Sequence, residues 1–334
     1  ASDLDNLWTT DKKVAKARGF EHSRRGEAYF SPAIQRDLEL FRQTVRAIQP
    51  NVIIALGNFP LWVCTGEISV SNFRGSLEKM QYAGTDRAFK VIATYSPEQI
   101  LKMWEWRWIA VRDLKRAESE SHSPEIPPET LQLKIRPTFQ EALAILDQLL
   151  AAASSLDSCL KLAVDIETIS RFLVCNGVAW SPTEAMCIPF VGDNGVRYFS
   201  LEQELILIEK FQRLLTHSNV RIIGQNWSYD TQHIVRSWLS RPRADNDTML
   251  NQHALFPGTP KDLAFLASLY CDNYTYWKDE LTDYKTLPAD LDKFWLYNAK
   301  DCCYTYQVAE AQELLLAQFN LSSQAAFLQR LNPH

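Results

Sequence analysis

Apolar residues in the stretch SPAIQRDLELFRQTVRAIQP recur at three- and four-residue steps, with Leu38, Phe41, Val45 and Ile48 on one helical face. The spacing predicts an amphipathic helix that starts at Ser31-Pro32 and stops before Pro50. Directly after it, NVIIALG is a short β-branched run closed by Gly57, the pattern of a buried parallel strand. A second buried strand is expected over 89–95, followed by a Trp-rich helix in WEWRWIAVRDLKRA. This alternation predicts an α/β layer. The pattern then breaks at ESESHSPEIPPET (118–130), where apolar residues vanish and three prolines gather, as in an extended linker.

Downstream, FQEALAILDQLLAAA reads as a helix and LKLAVDIET as a buried strand. Strands are expected at 174–180, 186–191 and 196–199, with GDNG (192–195) as a hairpin turn. ELILIEKFQRLLTH predicts a helix, VRIIGQN a strand, and DLAFLASLYC and LDKFWLYNAKDCCYTYQVAEAQELLLAQF later helices. Strands joined by tight turns, then strands alternating with helices, predict a mixed sheet with flanking helices. The fold class is therefore α/β in two domains of different topology.

Composition excludes disorder, collagen and coiled coil: hydrophobic residues are 46% and charged residues 22% of 334. No apolar run approaches the ~20 residues that span a bilayer, and the first residues carry no apolar signal segment, so no membrane partner is expected and the expected location is cytoplasmic. Seven scattered cysteines without paired spacing predict reduced thiols and neither a disulfide framework nor a zinc site. The net charge of -5 is uneven, because residues 1–130 hold 18 Lys+Arg against 17 Asp+Glu and residues 131–334 hold 17 against 23. An acidic second part lacks the basic footprint of a duplex-coating protein, yet suits a nuclease that collects carboxylates for divalent cations.

Three acidic segments stand out. In KLAVDIET, period-two alternation puts Asp165 and Glu167 on one side of a strand end. Two like charges so close repel unless a cation lies between them; a solvated strand end is the plain alternative. In GQNWSYD, Asn226 and Asp230 stand four apart, which on a helix is one face; the alternative is an Asn cap beside an exposed acid. In YNAKD, Tyr297 and Asp301 are again four apart within an aromatic, apolar helix; the alternative is a core-edge Tyr with a surface Asp.

The order Asp-x-Glu, Asn-x-x-x-Asp, Tyr-x-x-x-Asp resembles the three exonuclease motifs of the DEDD superfamily in its tyrosine branch, on a ribonuclease H-like fold. DNDTML and LASLY…YTYWKDE are similar to flanks of the 3'-5' exonuclease domain of family A (Pol I-like) DNA polymerases. The resemblance covers 131–318, and 319–334 (SSQAAFLQRLNPH at its end) looks like the approach to a polymerase thumb. It implies the proofreading portion of a viral (phage) polymerase, with palm, fingers and thumb on the same full-length chain. It further implies two Mg²⁺ or Mn²⁺ ions: Asp165 bridging both, Glu167 and Asp301 on the hydroxide-generating ion, Asp230 as an outer ligand of the second. Tyr297, with an ordinary pKa of about 10, would orient the attacking water by a hydrogen bond and not act as base. Motif position gives Thr168 and Asn226 contacts to the 3'-terminal nucleotide. ISRFL places Arg171 where an aliphatic wedge is expected, leaving Phe172 or Leu173 to serve.

The implied substrate is a single-stranded DNA 3' end. Trp227, Tyr229, Tyr274, Tyr276 and Trp277 are candidate stacking partners, and Lys278, Lys285 and Lys293 candidate phosphate contacts; core packing and a solvated face are their alternatives. A ribonuclease D-like RNA trimmer and a DNA-binding module without catalysis are the competing functions.

Over 30–117, IIALG, FRG, VIATYSPEQI and RDLKRA resemble the later half of the uracil-DNA glycosylase superfamily. An α/β/α layer over 1–117 is implied. Ser96-Pro97-Glu98 replaces the expected His-Pro-Ser, and a serine does not stabilise a departing uracilate as an imidazole does, so this domain is expected to be non-catalytic.

Overall fold

The computed structural model describes residues 7–22, 28–80, 87–155, 159–242, 245–278, 286–288 and 290–331. The chain divides into two units, residues 1–128 with 273–276, and residues 129–272 with 277–334.

In the first unit, β1 (Trp8–Thr9), α1 (Lys12–Arg18), β2 (Glu21–His22) and β3 (Tyr29–Phe30) build a small antiparallel sheet in the order β1-β3-β2. The amphipathic helix is α2 (Gln35–Ile48), entered through a 3-10 turn over Pro32–Ile34 in which Ser31 Oγ accepts the Ala33 N–H at 3.3 Å. There follow β4 (Val52–Leu56), α3 (Asn58–Thr65), α4 (Val70–Phe73), β5 (Leu77–Met80), β6 (Phe89–Thr94), α5 (Pro97–Lys102) and α6 (Arg107–Glu120). The second sheet has the order β4-β6-β5, with β4 parallel and β5 antiparallel to β6.

Central β6 is buried along its whole length, as its apolar run predicts. Its even-numbered side chains meet α6: Lys90 pairs with Glu120, Ile92 packs on Ala117, and Thr94 Oγ1 donates to Asp113 at 2.7 Å. Asp113 also receives the fully buried Arg74, an ion pair that fixes the FRG segment. The burial expected for the other strand is corrected. As the sheet edge, β4 leaves Ile54 and Leu56 44% and 42% exposed. The expected linker is also shorter than its composition implies, since α6 runs to Glu120 and Ile126 packs on Leu77, Ile92 and Ala117.

The second unit contains β7 (Gln132–Lys134), α7 (Phe139–Ala153), β8 (Leu160–Ile169), β9 (Phe172–Ala179), β10 (Glu184–Pro189), α8 (Leu201–Thr216), β11 (Val220–Gly224), α9 (Trp227–Trp238), β12 (Asn246–Asp247), α10 (Thr248–Leu255), α11 (Leu263–Tyr270), α12 (Leu291–Gln318) and α13 (Ser322–Leu331). Its mixed sheet has the order β12-β11-β8-β9-β10-β7. Strands β8, β9 and β10 are antiparallel neighbours, and β11 runs parallel to β8.

Alternation along β8 splits its residues between two layers. Leu162, Val164 and Ile166 enter the core shared with α7 and α8 through Leu146, Leu149, Phe211 and Leu214. Asp165 faces α12 on the opposite side, where Asn298 meets it. The strand expected over 196–199 is reduced to an isolated bridge, Val191 to Arg197, beside the 3-10 turn Asp193–Gly195. Helix α13 folds back on α10 and α12, with Ala325 in one cluster with Leu255 and Leu316. Among the described residues no helix is long and apolar enough to cross a membrane.

Candidate active site

The site lies on the second half of β8, where Asp165 and Glu167 are still paired with Gly177 and Cys175 of β9. One oxygen each from Asp165, Glu167 and Asp301 lies within 4.8 Å of the others. Strand alternation supplies the first two carboxylates, and α12, crossing the sheet, supplies the third. The crossing is close: a Cβ at Gly177, the β9 partner of Asp165, would stand 2.5 Å from both Asn298 Oδ1 and Cys302 Sγ. Only glycine admits the helix here. Asn298 uses that proximity, its Nδ2 donating to Asp165 Oδ2 at 2.8 Å and to the Asp165 carbonyl at 3.2 Å.

Asp230 lies outside this trio. It is buried on the first turn of α9 with Oδ1 accepting the Ile166 N–H at 3.0 Å, so it is tied to the backbone between Asp165 and Glu167. Asn226 is not on the face of α9 that the four-residue step predicts. It precedes the helix in the left-handed region (φ 56°), exposed, with no side-chain cap bond. Asp247 holds that turn: Oδ1 accepts the Asn226 and Met249 N–H groups at 3.2 and 2.9 Å, and Oδ2 accepts the Trp227 N–H at 2.9 Å.

Burial and mutual repulsion dominate the electrostatics. Desolvation, followed by the charge of Asp301, pushes Asp165 up to about 8. Glu167 is held well above the carboxylate range by burial and by Asp165 and Asp301. Asp230 is raised by burial and Asp165, against the pull of the Ile166 N–H. Lys278 answers this charge. Its Nζ donates to Tyr297 Oη at 2.7 Å and ion-pairs with Asp301 Oδ2, while Trp277 Nε1 donates to Asp301 Oδ1 at 2.6 Å. Burial alone would lower the lysine, but Asp301, Asp165 and Glu167 reverse that and raise it.

Next to Glu167 in the chain, Thr168 Oγ1 shares a hydrogen bond of 2.6 Å with Tyr229 Oη. Ser170 and Arg171, both with positive φ (50° and 75°), make the two-residue turn between β8 and β9. Phe172 follows it and is 76% exposed.

Several sequence expectations need correction. Trp227 does not stack on a substrate base, because it is 0% exposed in the core, its ring lying over Gly224 where a Cβ would come within 2.6 Å. Trp277 is likewise buried, stacked on Tyr304 at 4.2 Å and bonded to Asp301. Tyr274 and Tyr276 belong to the first unit: Leu77 N–H donates to the Tyr274 carbonyl, and Tyr276 packs on Phe73 at 4.6 Å. Lys278 is at the clustered carboxylates and not on a solvated face, Lys293 lies on the surface near Asp290, and Lys285 is outside the described residues. Asn298 and Asp247 were missed. The signal for Asn298 was its place three residues before Asp301 on the same helix, and that for Asp247 its position in DNDTML.

Hard oxygen donors crowded together in this way suit Mg²⁺ or Mn²⁺, which would favour the charged form of the carboxylates. An acidic cluster of this kind, on a strand of a mixed sheet crossed by a long helix, is what a metal-dependent nuclease would require. The chain belongs to the 3'-5' exonuclease family, whose model matches residues 140–316. Exonucleases of this DEDD type use two divalent metal ions.

Among solved structures, the catalytic core of RRP6 from Trypanosoma brucei is similar at 15% identity and a TM-score of 0.45, over 62% of this chain and 53% of that one. Escherichia coli RNase D, an exoribonuclease involved in structured RNA processing, is 17% identical with a TM-score of 0.44, over 60% of this chain and 49% of that one. Brucella melitensis NrnC with bound Mg²⁺ is 15% identical with a TM-score of 0.41, over 53% of this chain and 84% of that one. The chain thus spans about half the length of the first two. No curated protein sequence matches it.

Proposed function

We propose that the chain removes nucleotides one at a time from single-stranded DNA 3' ends, as the proofreading part of a family A DNA polymerase. The observation that carries the reading is the convergence of Asp165, Glu167 and Asp301, far apart in sequence, into one acidic cluster on β8 and α12. Bound divalent cations would supply hydroxide at neutral pH and offset charge on the attacking and leaving oxygens. Asp165, Glu167 and Asp301 would hold them, with Asp230 at the margin.

The remaining work falls to the protein's own groups. Asn298 holds the Asp165 carboxylate in one orientation. Lys278 donates to the Tyr297 oxygen, which leaves the phenol hydrogen to be directed at the attacking water. Thr168, Asn226 and Phe172 would contact the terminal nucleotide. In the first unit, Ser96 Oγ accepts the Gln99 N–H at 3.2 Å as the cap of α5, which supports a non-catalytic role for that loop.

The test is incubation of the full chain with 5'-labelled single-stranded DNA or RNA and Mg²⁺, with and without EDTA. A DNA ladder that vanishes on chelation and in Asp165→Ala supports the reading. A preference for RNA replaces it with RNA trimming, and no products at any metal concentration overturns it.

A further inference from the structure

The chain places its own cation among the metal-binding carboxylates. Lys278 Nζ reaches the Tyr297 oxygen at 2.7 Å and Asp301 Oδ2, and lies 4.3 Å from the Tyr297 ring centroid and 5.1 Å from that of Trp277. With Trp277 Nε1 on Oδ1, both Asp301 oxygens already have a donor from within the protein. A divalent ion that takes Asp301 as a ligand must share an oxygen with the ammonium or displace it, and in either case it meets a positive charge a few ångströms away.

We infer that Lys278 is a positioning residue and a tethered competitor of the metal ions: its ammonium holds Asp301 and the Tyr297 hydroxyl in register, and its charge keeps cation binding at the acidic cluster weak. This rests on the reading of the cluster as the metal site of an exonuclease. The two parts of the role have opposite consequences when the charge is removed. Metal binding strengthens, because repulsion is lost. Turnover weakens, because the Tyr297 oxygen loses the donor that orients it. A lysine that only stabilised the fold would, on removal, loosen the carboxylates and weaken both.

The experiment titrates the full chain with Mn²⁺ and follows free Mn²⁺ by electron paramagnetic resonance, which needs no turnover. Lys278→Met is expected to bind Mn²⁺ about tenfold more tightly, the scale set by a unit charge this close in a partly solvated site. Lys278→Arg keeps the charge and is expected to stay within about twofold of the parent, well inside that electrostatic effect. At saturating metal, Lys278→Met is expected to lower kcat on single-stranded DNA by roughly 10- to 100-fold, the usual cost of losing a group that orients a metal-site partner, with KM little changed. Lys278→Gln is read in the same way if the methionine variant does not fold.

Unchanged or weaker Mn²⁺ binding in the neutral variants overturns the inference. If the parent binds Mn²⁺ in a manner lost in Asp165→Asn yet degrades no nucleic acid, the exonuclease reading fails, and the affinity comparison still decides the role of Lys278 as competitor. If the parent binds no Mn²⁺, both fall.

Discussion

Asn298 Nδ2 donates to Asp165 Oδ2 at 2.8 Å, so the carboxylate at the centre of the acidic cluster takes its orientation from the helix that also carries Asp301. A group that aligns a metal ligand without itself binding metal typically accounts for 10- to 100-fold in affinity or activity. Asn298→Ala is therefore expected to lower kcat on single-stranded DNA by about that factor. Rescue of most of the loss by raising Mn²⁺ would agree with a disturbed ligand, and wild-type turnover at low Mg²⁺ would sink the assignment.

The same crowding makes stability depend on pH. Asp165 is raised in the folded chain from its ordinary 3.8 to about 8, so folding favours its protonated form. Its contribution to stability is complete below about pH 4 and is lost as pH rises through about 8. In EDTA, Asp165→Asn should therefore melt higher than the parent at about pH 8.5 by several degrees, each kcal/mol being worth ~2–4 °C in a domain of this size. The gap should close near pH 4, where both side chains are neutral. Mg²⁺ at high pH should stabilise the parent and leave the variant unmoved. A scanning calorimetry series that finds Asp165→Asn less stable at all pH values refutes the electrostatic account.

What was legible in the sequence follows from which interactions are local. The positions of β8, α7, α8 and α12 were readable because their apolar patterns are written within each segment, and the Thr138 and Ser200 capping boxes found in the structure act over the same short range. The acidic trio was readable from motif order, since alternation alone sets Asp165 and Glu167 on one side. The burial of Trp227 was not, because it depends on Gly224 leaving room for the indole and on the core of α7 and α8 that closes over it. Nor was Lys278, whose partners are 19 and 23 residues away and on another element. The edge exposure of Ile54 and Leu56 also escaped: an apolar run reports strand propensity, while sheet order decides how much of it is covered.

Trp227 gives a direct test of core against binding surface. As a fully buried ring it should cost about 3–5 kcal/mol when replaced by alanine, with loss of activity only through unfolding. Tyr229, 47% exposed and bonded to Thr168, should by contrast affect KM for single-stranded DNA when changed to alanine, with little change in melting temperature. Denaturation curves beside steady-state kinetics separate the two, and a Trp227→Phe variant with native stability but raised KM would return Trp227 to the substrate surface.

Phe172 stands at the tip where the β8–β9 turn projects. A side chain that is 76% exposed stabilises the fold little, and its replacement should stay within about 0.5 kcal/mol of the parent. If it wedges the terminal base pair apart, its removal should spare hydrolysis of single-stranded ends, where nothing needs separating, and slow hydrolysis of paired ends. The deficit should be largest for matched termini and smaller for mismatched ones, because fraying a mismatch costs less. Phe172→Ala is therefore expected to leave single-stranded DNA turnover within about twofold and to lower the rate on a matched duplex 3' end by roughly tenfold, the equivalent of ~1.4 kcal/mol of lost separation energy. Equal losses on single- and double-stranded ends would show that Phe172 only contacts the strand, and no loss on either would leave separation to Leu173 or to thermal fraying alone.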